Sequence, residues 1–267
     1  MKKIWLSVGI SLFILAGCAP KTPRPAVSET NDQWAMIQKA GVLVVGTEGT
    51  YRPMTYHDEK DELVGFEVDV AKALAAKLGL KVKFVEAAWD ALLAGLDAGR
   101  LDTVINEVSP STERRKKYDF TEEYTFVHGV AITSKDNHDI HSFADLAGKR
   151  SAQTLSSSWA QVAEKNGADI VSVTAFRESI EMILSGRADT SLNSELAFYT
   201  FLEAQPEMKD RLKIAAESTD VITTAIPVRK GETRFLTALN EALKALQEEG
   251  TLRAISQKYF ARDITVR

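Results

Sequence analysis

Apolar positions in this chain change their spacing at regular intervals, and the changes mark out alternating strands and helices. Val42–Glu48 (VLVVGTE) is a continuous apolar run that reaches a glycine, the pattern of a strand buried on both faces. Phe66–Leu80 (FEVDVAKALAAKLGL) sets its apolar residues at helical spacing, with Gly79 as a C-terminal cap. Lys81–Ala87 alternates and predicts a second strand. Trp89–Arg100 predicts a short amphipathic helix stopped by Gly99, and Leu101–Val108 a third strand. The order strand, helix, strand, helix, strand predicts a mostly parallel sheet with crossover helices.

The rhythm resumes at Lys149. Lys149–Leu155, Asp169–Phe176 and Asp189–Ser194 read as strands, with helices over Ser157–Gly167 and Glu178–Ala188. Two β-branched stretches, His128–Lys135 and Ser218–Lys230, flank this half and predict paired strands that carry the chain out of one lobe and back. Two closing helices, Glu232–Gly250 and Thr251–Phe260, return to the first lobe. The expected fold class is therefore α/β with two lobes, each a mostly parallel sheet flanked by helices, joined by two hinge strands. Residues 34–130 and 222–267 are expected to form lobe 1, and residues 131–221 lobe 2. The cleft between them should be lined by residues just past the carboxyl ends of strands.

Composition narrows the function. The 267 residues are 45% hydrophobic and 26% charged, enough for two modest cores. Net charge is −4, which argues against a nucleic-acid partner, because that affinity rests on neutralising phosphates. The single cysteine, Cys18, follows Lys2-Lys3 and the apolar run Ile4–Leu15, which is too short to span a bilayer comfortably. Leu15-Ala16-Gly17-Cys18 resembles a bacterial lipobox. That implies a signal peptide over 1–17, lipidation of Cys18, membrane attachment through that lipid, and work outside the cytoplasm. The Pro-, Thr- and Ser-rich stretch over 18–33 reads as a flexible tether. A chain starting at Cys18 keeps 31 cations against 37 anions, net −6, and has no second cysteine for a disulfide.

Candidate chemistry centres on Ile105–Phe120, INEVSPSTERRKKYDF. Ser111 is a good N-cap, which puts Arg114 at the third helical position, where a cation opposes the helix dipole. Such a local conflict points to function, and a planar guanidinium there could grip a carboxylate in two parallel hydrogen bonds. Arg115, Lys116 and Lys117 read as a solvated face. Ser156-Ser157-Ser158 precedes a helix whose free N–H groups, with the Ser157 and Ser158 hydroxyls, suit a carboxylate. No P-loop, GxGxxG or Ser/His/Asp set is present, and no cofactor is implied. His138-Asp139-Ile140-His141 reads as a solvated loop rather than a metal site.

Several segments lie in series at matching separations: GTEGTYRPMTY, LVGFEVDVAKALAAKLGL, WDALLAGLDAGRLDTVINEVSPSTERRKKYDFTEEY, LAGKR, SGRADTSLN and EEGTLRAISQKYF. Over about Gly46–Phe260 the chain resembles the polar amino-acid substrate-binding proteins of ABC importers (family 3 solute-binding proteins), and most of all their cystine/cysteine branch. The resemblance implies a periplasmic-binding-protein-like type II fold. It also implies an amino-acid ligand, an ABC permease as partner, a monomer, and capture by lobe closure. It places Arg114 on the ligand's α-carboxylate, Ser109 and the Glu107 carbonyl on its backbone atoms with Asn106 beside them, and Tyr51 and Trp89 as aromatic walls. It places Glu48 at a position that meets basic side chains in other members.

Two departures stand out. Glu107 replaces the Gln common in the cystine-like branch. Ser194 replaces the aspartate that would pair with the ligand's α-ammonium, and a serine cannot neutralise a cation. Glu107 or Glu195 could supply the carboxylate, the ligand could lack a free α-amino group, or amino-acid binding could be lost. An enzyme of the cyclohexadienyl dehydratase type, with Glu107 as a general acid, and a surface antigen or adhesin are the alternatives on the same fold.

Overall fold

A computed structural model describes residues 32–267; Cys18, the leader and most of the tether lie outside the described residues. The chain enters at α1 (Gln33–Ala40), capped by the Asp32 carboxylate accepting the Trp34 N–H at 3.1 Å. β1 (Val42–Thr47) follows, then three short antiparallel strands, β2 (Thr50–Tyr51), β3 (Thr55–His57) and β4 (Leu63–Val64). Next come α2 (Phe66–Lys77), β5 (Lys81–Glu86), α3 (Trp89–Asp97) and β6 (Thr103–Val104). β1 lies between β5 and β6 and is parallel to both; the parallel pairing is what the sequence pattern predicts.

Gly65 begins α2 with φ at 136°, and a Cβ there would stand 2.2 Å from the Met54 carbonyl oxygen. Only glycine accepts both the torsion and the close approach.

After β6 come α4 (Thr112–Lys117), β7 (Tyr118–Phe120) and the long β8 (Thr125–Ser134), which leaves lobe 1. In lobe 2, β9 (Arg150–Gln153) and β10 (Asp169–Ser172) pair in parallel, flanked by α5 (Ser158–Lys165) and α6 (Phe176–Leu184). β11 (Ser191–Ser194) bridges β9 in parallel through Ser151 and Thr190 and pairs antiparallel with β8. α7 (Glu195–Ala204) leads to β12 (Leu212–Thr224), which returns the chain beside β8. β13 (Pro227–Arg229) pairs with β7, and α8 (Thr233–Glu248) and α9 (Thr251–Phe260) close lobe 1.

β8 and β12 are paired from Thr125↔Thr224 to Ser134↔Leu212, with register breaks between Ile214 and Ala216 and between Glu217 and Val221. Gly129 sits opposite the second break; a Cβ there would stand 2.7 Å from the Trp159 ring. A ladder interrupted at that point bends more easily than a continuous one.

Several boundaries differ from the sequence reading. Leu101–Val108 is laddered only over Thr103–Val104, and further on Glu107 takes a left-handed backbone, φ 53°. Phe176 starts α6 rather than ending β10. Ser218–Lys230 is two strands with separate partners, parted at Ala225–Ile226. Each lobe has its own apolar core: Leu43, Val45, Phe66, Leu74, Phe235 and Leu239 in lobe 1, and Ile132, Ile180, Ile183, Phe198 and Leu212 in lobe 2. Each such side chain contributes about 1.5–3 kcal/mol on burial.

Candidate functional site

Parallel strands aim their carboxyl ends at the interlobe cleft, and the residues just past those ends line it. From lobe 1 come Glu48 after β1, Tyr51 on β2, Trp89 at the start of α3, and Asn106 and Glu107 after β6. From lobe 2 come Gln153, Ser157, Ser158, Trp159, Phe176 and Asn193.

Asn106 organises the lobe 1 wall. Its Oδ1 accepts from the Glu48 N–H at 2.8 Å, and its Nδ2 donates to Glu48 Oε2 at 2.8 Å. Burial pushes the Glu48 carboxyl up to about 6 despite that donor. Behind it, Glu67 on α2 is fully buried. It accepts from the Glu107 backbone N–H at 2.9 Å and from the Tyr124 hydroxyl at 2.6 Å. Burial pushes Glu67 up to about 7.

Glu107 is partly buried because it lines the cleft. Loss of solvent, then the nearby Glu67 carboxyl, push it up to about 8. The Tyr51 hydroxyl joins the lobes, standing 2.8 Å from Glu107 Oε2 and 2.7 Å from Asn193 Oδ1 of β11. Burial pushes the Tyr51 hydroxyl well up, so it stays protonated.

Arg114 is 6% exposed. Ser111 caps its helix, accepting the Arg114 N–H at 3.3 Å, as expected. Its guanidinium does not line the cleft but stands beside the Trp89 wall, 5.3 Å from the ring centroid. Nη1 donates to the Ser109 carbonyl at 2.9 Å and Nη2 to the Ser156 carbonyl of lobe 2 at 2.7 Å. Burial lowers its pKa to about 10, still cationic at neutral pH.

Ser158 Oγ donates to Ser109 Oγ at 3.3 Å, and Ser156 N–H donates to Asp90 Oδ1 at 3.2 Å. With Tyr51–Asn193 and Arg114–Ser156, these bonds hold the lobes together over the cleft. Ser157 caps α5, accepting the Ala160 N–H at 3.0 Å.

Ser194 is fully buried and caps α7, accepting the Ala197 N–H at 3.2 Å; its side chain also acts on the Tyr51 hydroxyl, but it is not among the residues that line the cleft. Its neighbour Asn193 does. Glu195 pairs with Arg262 at the end of α9, away from the cleft. Asn193, Gln153 and Phe176 were missed by sequence reasoning, although the strand-end rule applied to β11 and β9 reaches the first two. The Trp89 Nε1–H is buried without a protein partner among the described residues. Among those residues no three His, Cys, Asp or Glu gather into a metal-binding group. His138 and His141 are exposed, linked through His141 Nε2 and the His138 carbonyl at 2.9 Å. No helix among the described residues is long and apolar enough to cross a membrane.

Two α/β lobes, a crossing pair of hinge strands and a polar cleft bridged from both sides define a bilobal solute-binding protein. The profile of the bacterial extracellular solute-binding proteins, family 3, matches residues 43–262, and the chain belongs to that family. It is 41% identical over 270 residues to the L-cystine-binding protein TcyA of Bacillus subtilis (strain 168), covering 99% of this chain and all of that one. Two solved structures compare informatively. An ABC uptake transporter substrate-binding protein from Streptococcus pneumoniae with bound histidine matches at TM-score 0.81 and 26% identity, covering 89% of this chain and 99% of that one. The L-cystine solute receptor of Neisseria gonorrhoeae, unliganded and open, is more similar in sequence at 36% identity but matches at only 0.59, covering 88% and 99%. In this chain the lobes are bridged over the cleft by the Tyr51–Asn193 and Arg114–Ser156 bonds.

Proposed function

We propose that the protein captures an amino acid between its lobes outside the cytoplasm and delivers it to an ABC importer, with cystine the first candidate. The observation that carries this reading is the nearly full-length similarity to a cystine-binding protein, combined with a closed polar cleft. Lobe 1, residues 34–130 with 222–267, takes the ligand first through Arg114, Ser109, Tyr51 and Trp89. Lobe 2, residues 131–221, closes on it with Ser157, Ser158 and the β11 end at Asn193–Ser194. The interrupted β8–β12 ladder absorbs the rotation. Arg114 must leave one or both of its present carbonyl partners to take a carboxylate in the same fork. The protein works as a monomer, tethered through lipid at Cys18.

Calorimetric titration of protein stripped of ligand by unfolding and refolding tests this reading. One-to-one binding of L-cystine or another free amino acid is expected, and no heat from any amino acid would sink it.

Glu107, a carboxyl held protonated in the cleft, is the one feature that favours an enzyme. The mass of ligand recovered from the complex decides: an unchanged mass is expected, and a product of altered mass would mark catalysis.

A further inference from the structure

We propose that the Glu107 side chain is the anchor for the ligand's ammonium, and that it takes this cation by giving up its own proton to solvent. The inference rests on the amino-acid-binding reading and assigns the charge partner that Ser194 cannot supply.

The first argument is a count of protons. Tyr51 has one hydroxyl hydrogen and two close oxygens, Glu107 Oε2 at 2.8 Å and Asn193 Oδ1 at 2.7 Å. Asn193 Oδ1 is fixed as an acceptor, because it also takes the Ser194 N–H at 2.8 Å. The Tyr51 hydrogen can serve only one of these two oxygens, and a proton on Glu107, donated to the Tyr51 oxygen, frees it for Asn193. With Glu107 ionised, one of the two contacts has no hydrogen to share.

The surroundings agree. Glu107 is approached by Glu67 from α2, with Tyr124 behind it, by Glu48 from the end of β1, by Tyr51 from β2 and by Asn193 from lobe 2. No cation lines the cleft among the described residues; Arg114 is engaged with two carbonyls beside it. A carboxyl in such a place is neutral until a cation arrives, and loss of solvent with the neighbouring carboxyls pushes it up to about 8.

Rival anchors are committed elsewhere. Glu195 is paired with Arg262 away from the cleft; Glu48 lines the cleft, but its Oε2 accepts from the Asn106 amide, and Glu107 is the carboxyl bonded to the hydroxyl that bridges the lobes. The left-handed backbone at Glu107, φ 53°, is an uncommon conformation for this residue type, of the kind kept where a side chain must be aimed.

In the exchange no covalent bond between heavy atoms changes. Glu107 loses one proton to solvent, the ammonium keeps its three, and the Tyr51 hydrogen stays on its oxygen.

The test is titration of the refolded protein with L-cystine and the other L-amino acids at pH 7, in phosphate and in Tris. These buffers differ strongly in ionisation enthalpy, so the difference in heat counts protons released. For whichever amino acid binds, wild type should release close to one proton, falling toward none above about pH 9. Glu107→Gln should abolish most of that release and weaken binding by about ten- to a hundredfold, the loss expected of one charge-assisted contact. Glu195→Gln should keep both affinity and release. Equal heats in the two buffers for wild type, which need no variant to fold, would overturn the inference while leaving amino-acid binding intact. So would a Glu107→Gln protein that binds and releases like wild type. No heat from any amino acid would overturn the functional reading, and this inference with it.

Discussion

Arg114 Nη2 donates to the Ser156 carbonyl oxygen at 2.7 Å, so the buried cation of lobe 1 is held by the backbone of lobe 2. The same guanidinium therefore serves closure and, in the function proposed, ligand capture. Arg114→Ala should lose at least about 1.5–3 kcal/mol of ligand binding, roughly tenfold or more in Kd. Arg114→Lys should recover only part of this, because an ammonium lacks the planar fork. Calorimetry with cystine decides; wild-type affinity in Arg114→Ala would remove this residue from the site.

Tyr51→Phe deletes the hydroxyl shared by Glu107 and Asn193. Leaving those two groups unpaired should cost about 1–3 kcal/mol of closure. Small-angle scattering should show a larger radius of gyration for the variant. Identical scattering curves would mean that this bond does not hold the lobes.

Stability should depend on pH through the buried carboxyls. Glu48, Glu67 and Glu107 are raised to about 6, 7 and 8 in the fold. An unfolded glutamate titrates near the ordinary value of about 4.3. Between those values the folded state binds more protons than the unfolded one, so stability falls as pH rises. The contribution is fully present below about pH 4.3 and is lost as pH climbs through about 6 to 8. Thermal midpoints should fall between pH 5 and pH 8, and Glu67→Gln should blunt the fall. A midpoint rising over that range would contradict this account.

Lys116→Ala should leave ligand affinity within about twofold and stability within roughly 0.5 kcal/mol, the usual range for an exposed position. Lys116 pairs only with Glu113 on the surface of α4, and Lys117 is exposed. A large loss of binding would show that the basic run acts as a unit.

Gly65→Ala should destabilise lobe 1 by about 1–3 kcal/mol or more, since it adds a strained torsion to a clash with Met54. Chemical denaturation measures this directly. It also tests whether α2, which carries Glu67, depends on this turn.

The alternating periodicities of Val42–Val108 were enough to predict a mostly parallel sheet with crossover helices, because strand and helix spacing is a local property; the order β5-β1-β6 came from the tertiary structure. Ser111 as a cap and Arg114 as a first-turn cation against the dipole were legible for the same reason: both are written within a few residues; the burial of Arg114 was not. Ser156-Ser157-Ser158 was legible as the start of a helix, and Ser157 caps it. Ser194, expected at the ligand, instead closes a helix end in the core, while its neighbour Asn193 reaches the cleft. Alternation along a strand turns successive side chains to opposite faces, so neighbours at the β11 end meet different surroundings.

The amino-acid sequence by itself determined the two α/β lobes, the crossing strands and the short list of polar residues past the strand ends, since these follow from local spacing and chain order. Only the tertiary structure decided which of those residues meet. It carried Tyr51 of lobe 1 to Asn193 of lobe 2, 142 positions away, and turned Glu195 outward to Arg262. It also buried Glu67 behind Glu107, so that the charge on the cleft carboxyl depends on a helix with no sequence-local link to it. Long-range proximity and desolvation set these features, and neither is encoded in the spacing of neighbouring residues.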